Sequence, residues 1–377
     1  MAERLDNPFV VGRYVGGEYF CDREEETQLL IKQIRNGRDV ALMSPRRLGK
    51  SGLIHNMFDQ PEVKERYNTF FIDIFSCTCL KEMIFLLGKA IYQQLKPKKE
   101  MWKDRFFQVI SSFRAGIQID PISGLPSFEL GLGDITSPET TLDEIFRYLS
   151  QSERPCIVAV DEFQQILKFQ EKNVEGILRT RIQNCPNVHW IFAGSQRHLL
   201  QGMFFGPSRP FYQSVISLTL QPIPIALYRE FAVGLFDKYG KRIFPTIVEE
   251  TYRRYEGLTW YVQMVMNEIF DISGREISDP KIIDTAVGNI LQMQADNYRN
   301  QLSLLSPAQK TVLQAIARSG EVAEPTSAEF VGRFSLGSPS TAQSALRRLL
   351  SIDTVTRTDT GYRLTDPFFA QWLRLNY

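Results

Sequence analysis

The segment Ser44-Pro45-Arg46-Arg47-Leu48-Gly49-Lys50-Ser51 constrains this chain more than any other. It follows an apolar run, Asp39-Val40-Ala41-Leu42-Met43, that reads as a strand. It opens a stretch from Lys50 to about Asp59 whose Leu53, Ile54, Met57 and Phe58 fall at helical spacing. A strand that turns through glycine directly into a helix leaves several backbone N–H groups aimed at one spot. The positive end of the helix dipole adds to them, so such a turn suits a polyanion. Gly49 lets the backbone approach phosphates, Lys50 reaches the outer phosphates of a triphosphate, and the Ser51 hydroxyl suits Mg²⁺. The usual pattern has glycine where Ser44 stands. Pro45 pushes its predecessor toward extended geometry, so Ser44 reads as a continuation of the strand.

A second element lies about 110 residues further on, at Ile157-Val158-Ala159-Val160-Asp161-Glu162. The apolar run reads as a strand buried on both faces. It puts Asp161 at the strand's C-terminal end, where open α/β sheets bind ligands. Asp161 is expected to hold Mg²⁺ through water together with Ser51, and Glu162 to polarise an attacking water. The next strand, Val188 to Gly194, ends at Ser195. Two readings of Ser195 stand: a polar group near the terminal phosphate, or a plain strand-to-loop turn. The candidate catalytic residues are thus Glu162, Lys50 and Ser195. The candidate cradle is Pro45, Arg46, Arg47, Leu48, Gly49, Lys50, Ser51 and Gly52, and the expected cofactors are ATP and Mg²⁺.

Around these motifs the patterning predicts an α/β fold: a P-loop NTPase parallel-sheet core with a helical lid and a C-terminal winged-helix domain. Short apolar runs alternate with amphipathic stretches over residues 1–221. A hairpin insertion is expected at about 113–134, where Pro121-Ile122-Ser123-Gly124 separates two short runs. Residues 222–302 carry helical periodicity throughout, as in Leu227, Phe231 and Leu235. Residues 303–377 read as three helices and a hairpin, the winged-helix layout, with Ser306-Pro307 and Ser338-Pro339 as helix starts.

Composition bounds the partners. The 377 residues carry 44 basic and 43 acidic side chains, so the whole molecule has no strong charge label. The five cysteines are scattered and odd in number, which argues against a disulfide framework. The N-terminus lacks a secretory pattern, and the apolar runs are shorter than the ~20 residues of a membrane helix. The expectation is a cytoplasmic protein without a membrane partner.

With these pieces placed, the sequence resembles the archaeal-type ATPase family, a P-loop group within the wider AAA+ and STAND ATPases. The resemblance rests on Pro45-Arg46-Arg47-x-Gly49-Lys50-Ser51, the strand ending in Asp161-Glu162, and the strand ending in Gly194-Ser195. It also rests on the upstream box Phe20-Cys21-Asp22-Arg23-Glu24-Glu25-Glu26, and on Asp366-Pro367-Phe368-Phe369 followed by Trp372. It implies an ATPase core, a helical lid and a winged helix, with Asn7 to Arg23 near the adenine. Three positions depart from the family pattern. Asp22 replaces a glycine, Thr259 a lid proline, and Ser214, in Pro210-Phe211-Tyr212-Gln213-Ser214, an arginine. A finger arginine is worth about 10³ or more in rate, so its replacement predicts slow hydrolysis. Two readings of Arg209, one residue before Pro210, stand: a substitute for that arginine, or an ordinary solvated loop arginine.

The last segment, 301–377, has eight basic residues against six acidic, a thin surplus for a DNA binder. Arg347 and Arg348 on the third helix, with Ser338, Ser340, Thr341 and Gln343, and Arg357 and Arg363 on the wing, are the candidate DNA contacts. Packing on the core, a protein partner or self-association is the other reading. Three functions remain open at this point: an ATP-driven switch, an ATP-dependent DNA-binding protein, and a non-hydrolysing nucleotide-bound scaffold.

Overall fold

The computed structural model describes residues 5–95, 117–119, 126–128, 135 and 137–377. Its contacts divide it into two compact units. One comprises Val10–Tyr228 with Gly257–Trp260. The other comprises the chain start to Phe9, Arg229–Glu256 and Tyr261–Tyr377.

The first unit is built on strands β1 (Val40–Met43), β2 (Asn68–Asp73), β5 (Cys156–Asp161), β6 (Val188–Gly194) and β7 (Ile216–Thr219). They form one sheet in the order β2-β5-β6-β1-β7, and every pairing is parallel. Between them in sequence, β3 (Ile117–Ile119) pairs antiparallel with β4 (Pro126–Phe128). The rest of the 113–134 insertion lies outside the described residues.

Alternation along the strands sends side chains to two separate cores. Ala41, Met43, Val158, Val160, Trp190 and Phe192 face helices Leu80–Leu95, Pro138–Ser150, Val174–Gln183 and Arg197–Phe205. Val40, Leu42, Ile157, Ala159, Ile191 and Ala193 face helices Glu24–Arg35 and Lys50–Asp59. All six residues of β5 are buried, which explains its unbroken apolar run. The order has a consequence for ligands. From β1 the chain enters a helix on one face, and from its neighbour β6 it enters a helix on the other. The crevice between their C-terminal ends is therefore a topological switch point.

The second unit is largely helical. Phe9 is buried against Phe236 and Phe270, at ring distances of 5.0 and 6.2 Å. Asn267 Nδ2 donates to the Phe9 carbonyl at 2.7 Å, which ties the chain start to helix Thr259–Ile272. Two short strands, β8 (Arg242–Ile243) and β9 (Glu276–Ile277), pair in parallel. The winged helix follows: helices Pro307–Ser319, Ala328–Arg333 and Pro339–Ser351, then the hairpin of β10 (Val355–Arg357) and β11 (Tyr362–Leu364).

Its helix starts obey local chemistry. Ser306 and Gln309 form a reciprocal capping box, and Ser338 Oγ accepts from Thr341 N at 3.2 Å. Gly361 is required by packing, because a Cβ there would sit 2.5 Å from the Val322 carbonyl oxygen. The final helix, Pro367–Asn376, buries Phe369 and Trp372 against Tyr298, at 4.9 and 5.6 Å between rings. Among the described residues no helix is long and apolar enough to cross a membrane.

Candidate functional site: the turn after β1

The turn between β1 and helix Lys50–Asp59 takes its shape from two residues with positive φ, Arg47 at 68° and Gly49 at 87°. Gly49 is the helix N-cap. It has no side chain to cap with, and the first turn of the helix contains no acidic residue. The leading N–H groups of a helix have no partner within it, so they remain directed at the crevice. The arrangement suits an anion and nothing in the first turn opposes one. Arg23, almost fully buried, braces the turn from outside. Its Nη1 meets Glu26 Oε1 at 2.6 Å and its Nη2 donates to the Leu48 carbonyl at 3.3 Å. This gives the upstream Phe20–Glu26 box a mechanical role.

Lys50 lies at the centre. Its Nζ is 2.6 Å from Asp161 Oδ1 and 3.4 Å from Glu162 Oε1, all three side chains being largely buried. Ser51 Oγ donates to the other Asp161 oxygen at 2.5 Å. Asp161 can sit there because β5 ends at the crevice. The chain then leaves the strand through Glu162 at a positive φ of 54°, and both carboxylates meet Lys50.

Glu162 is held from its other side. Ser195 Oγ donates to Glu162 Oε2 at 2.8 Å and Gln164 Nε2 donates to the same oxygen at 2.5 Å. Arg46 Nε donates in turn to Ser195 Oγ at 3.3 Å. The structure therefore gathers Arg46, Lys50, Ser51, Asp161, Glu162 and Ser195, drawn from the C-terminal ends of β1, β5 and β6.

The remaining cradle residues are placed differently. Pro45 is exposed, while the Leu48 side chain is buried in the core, so Leu48 offers only backbone. Gly52 lies under the N-terminal segment, where a Cβ would be 3.3 Å from Phe20 Cε2. Arg47 turns to Trp260. Its carbonyl accepts from Trp260 N at 3.0 Å and its guanidinium lies 4.1 Å from the ring centre. Arg209 forms an ion pair with Glu175, and Ser214 Oγ donates to the Phe211 carbonyl at 2.7 Å.

Two residues of the site lie outside the sequence motifs. Gln164 is buried, and its Oε1 has no hydrogen-bond partner. Its amide is packed so closely on β6 that a Cβ on Gly194 would fall 2.0 Å from Oε1. Asp73 ends β2 in register with Asp161. Desolvation raises its pKa, Asp161 and Glu162 push it further up, and the bond from Phe75 N and the charge of Lys50 oppose the rise. A strand ending in an acidic residue is legible at Ile72-Asp73 just as at Val160-Asp161. Nothing local signals Gln164.

The winged helix presents Arg347, Arg348 and Arg357 to solvent, with Ser340, Thr341 and Gln343 beside the first two. Arg363 is engaged: its Nη1 meets both carboxylate oxygens of Glu256 at 2.7 Å.

Comparison with known proteins identifies the fold. A family model described as "Probable winged helix domain" matches residues 296–375. No curated protein matches the chain by sequence. Among solved structures, the Walker-type ATPase PABY2304 of Pyrococcus abyssi superposes with a TM-score of 0.66 at 19% identity, covering 97% of this chain and 99% of that one. The Aeropyrum pernix ORC2 protein, in ADPNP–ADP complexes, gives 0.59 at 15% identity over 98% and 95% of the two chains. The Aeropyrum pernix ORC1 protein in complex with DNA gives 0.52 at 12% over 96% and 94%.

Proposed function

For a chain with the fold of an archaeal-type AAA+ ATPase ending in a winged helix, we propose a Mg²⁺-dependent ATPase that works as a slow nucleotide-driven switch. The observation that carries this reading is the knot of Lys50, Ser51, Asp161 and Glu162 at the switch point of the sheet. A buried lysine paired with two carboxylates, beside an uncapped helix N-terminus, is poised to exchange carboxylate oxygens for phosphate oxygens. The relatives with this fold include one named an ATPase and one solved with ADPNP and ADP.

In this reading the N–H groups of Arg47 to Ser51 hold the β- and γ-phosphates, and Lys50 moves from Asp161 toward them. Ser51 and Asp161 offer a hydroxyl and a carboxylate side by side, hard oxygen donors that would hold Mg²⁺, Asp161 through water. When bound, Mg²⁺ neutralises charge on the phosphate oxygens. Glu162 accepts a proton from the attacking water. The water oxygen bonds to the γ-phosphorus, the bond to the bridging oxygen breaks, and ADP leaves with that electron pair beside inorganic phosphate. Ser195 and Gln164 fix the rotamer of Glu162 by binding Oε2, which leaves Oε1 for the water once Lys50 has moved.

The switch reading draws on the chain's path. Gly257–Trp260 groups with the α/β unit while its neighbours Glu256 and Tyr261 group with the helical unit, and Trp260 N bonds the phosphate turn at Arg47. A change in that turn thus has a covalent route to the helical lid and winged helix.

Calorimetry with MgATP should give saturable heat for the wild type and none for Lys50→Ala. Glu162→Gln should bind and hydrolyse at least ~10²-fold more slowly. Equal phosphate release by Glu162→Gln and wild type would remove Glu162 from the mechanism and favour the non-hydrolysing scaffold. A DNA-binding role is favoured by the exposed Arg347, Arg348 and Arg357 and by the relative solved with DNA. If Arg347 and Arg348 each neutralise a phosphate, replacing both by alanine lowers the log–log salt slope of duplex binding by about 2. An unchanged slope would refute contact through that helix.

A further inference from the structure

Arg46 is a cradle residue whose side chain reaches across the mouth of the site. It starts in the turn after β1, yet its Nε donates to Ser195 Oγ beyond β6 at 3.3 Å. Its guanidinium also lies 5.2 Å from the ring centre of Phe75, two residues past the end of β2. In the sheet, β5 lies between β2 and β6. A guanidinium touching residues beyond both outer strands therefore spans the end of the middle strand, where Asp161 and Glu162 sit. Ser195 connects it to chemistry, because the same hydroxyl donates to Glu162 Oε2 at 2.8 Å.

From this placement we infer that Arg46 supplies, from within the same chain, the cation that faces the terminal phosphate of the nucleotide. The inference rests on the phosphate-site reading above and adds a role to it. Lys50 stands among three acidic groups, Asp73, Asp161 and Glu162, at the converging strand ends. A second fixed cation beside them would offset more of a triphosphate's charge. Arg46 is half-buried, so its field is only partly screened, and Phe75 and Ser195 restrict where its planar fork points. During hydrolysis charge shifts within the γ-phosphoryl group as its bond to the bridging oxygen breaks and the bond to water forms. A guanidinium held there stabilises that charge. Through Ser195 it also couples the terminal phosphate to the orientation of Glu162. Arg209 forms its ion pair with Glu175. One chain then contains every charged group the reaction needs.

The test compares full-length wild type, Arg46→Ala and Arg46→Lys. MgATP and MgADP affinities are measured by calorimetry, hydrolysis in single turnover, and specific activity over a wide range of protein concentration. The expected result is a fall of about 10²–10³-fold in single-turnover rate for Arg46→Ala. Preference for MgATP over MgADP should collapse while MgADP affinity holds. Arg46→Lys should recover affinity for MgATP more than rate, because ammonium lacks the planar fork. Wild-type specific activity should not depend on protein concentration. Thermal melts of the variants establish that they are folded.

A wild type that binds and hydrolyses MgATP, with Arg46→Ala equal to it in rate and in ATP-over-ADP preference, overturns the inference and leaves the phosphate site intact. Wild-type specific activity that rises steeply with protein concentration overturns it too, because the cation would then come from a second copy. A wild type that fails to bind MgATP defeats the phosphate site itself, and the role of Arg46 with it.

Discussion

Lys50→Ala in nucleotide-free, Mg²⁺-free protein should destabilise the α/β unit itself. Lys50 stands 2.6 Å from one Asp161 oxygen and 3.4 Å from one Glu162 oxygen, with side-chain exposures of 9%, 5% and 12% in that order. At an effective dielectric of about 20 each pairing is worth roughly 5–6 kcal/mol of attraction before desolvation. Removing one member of a buried pair typically costs about 3–5 kcal/mol, because the remaining charge is left uncompensated. Both carboxylates keep other donors here. Asp161 retains Ser51 Oγ and the Glu162 N–H, and Glu162 retains Ser195 and Gln164. The lower end, about 3 kcal/mol, is therefore expected, a fall of roughly 6–12 °C in melting temperature for a unit of this size.

Urea melts of wild type and Lys50→Ala measure this. An equal midpoint would refute the claim that Lys50 neutralises the Asp161 and Glu162 carboxylates.

Other expectations follow from single contacts. Asp39 accepts from Trp190 N at 2.8 Å, and burial raises its pKa from 3.8 to about 6. Its ionisation therefore costs stability as pH rises through 6, and nothing below 4. The cost is about 3 kcal/mol at pH 8, taking ~1.4 kcal/mol per pKa unit. Asp39→Asn should be the more stable protein in denaturant melts at pH 8 and lose that advantage near pH 4. Gly194→Ala puts a Cβ 2.0 Å from Gln164 Oε1 and 2.7 Å from Leu200 Cδ1. It should cost about 1–3 kcal/mol and slow hydrolysis by displacing the donor to Glu162, as single-turnover kinetics would register. Gly361→Ala should unfold the wing selectively through the clash with Val322, seen as faster amide exchange over Val355–Leu364 at unchanged MgATP affinity.

Motif and periodicity made much of this protein readable in advance. Gly49-Lys50-Ser51 after an apolar strand, and Asp161-Glu162 at the end of another, are local patterns, because a helix N-terminus that binds anions and a strand buried on both faces each leave a short signature. The same holds for the capped helices of the winged domain, where Ser306 and Ser338 act through neighbours three residues away. Strand order is different. All the central strands are apolar and parallel, so nothing in their periodicity places β5 between β2 and β6 or puts β6 beside β1. That choice comes from packing helices on both faces, and it decides what meets at the crevice. It brings Asp73 into register with Asp161, turns Gln164 back onto Glu162 against a β6 glycine, stretches Arg46 to Ser195 and commits Arg209 to Glu175. The residue types of the turn after β1 are set by adjacency along the chain, while the groups that surround them arrive from strands and turns far away in sequence, where only tertiary packing specifies distance.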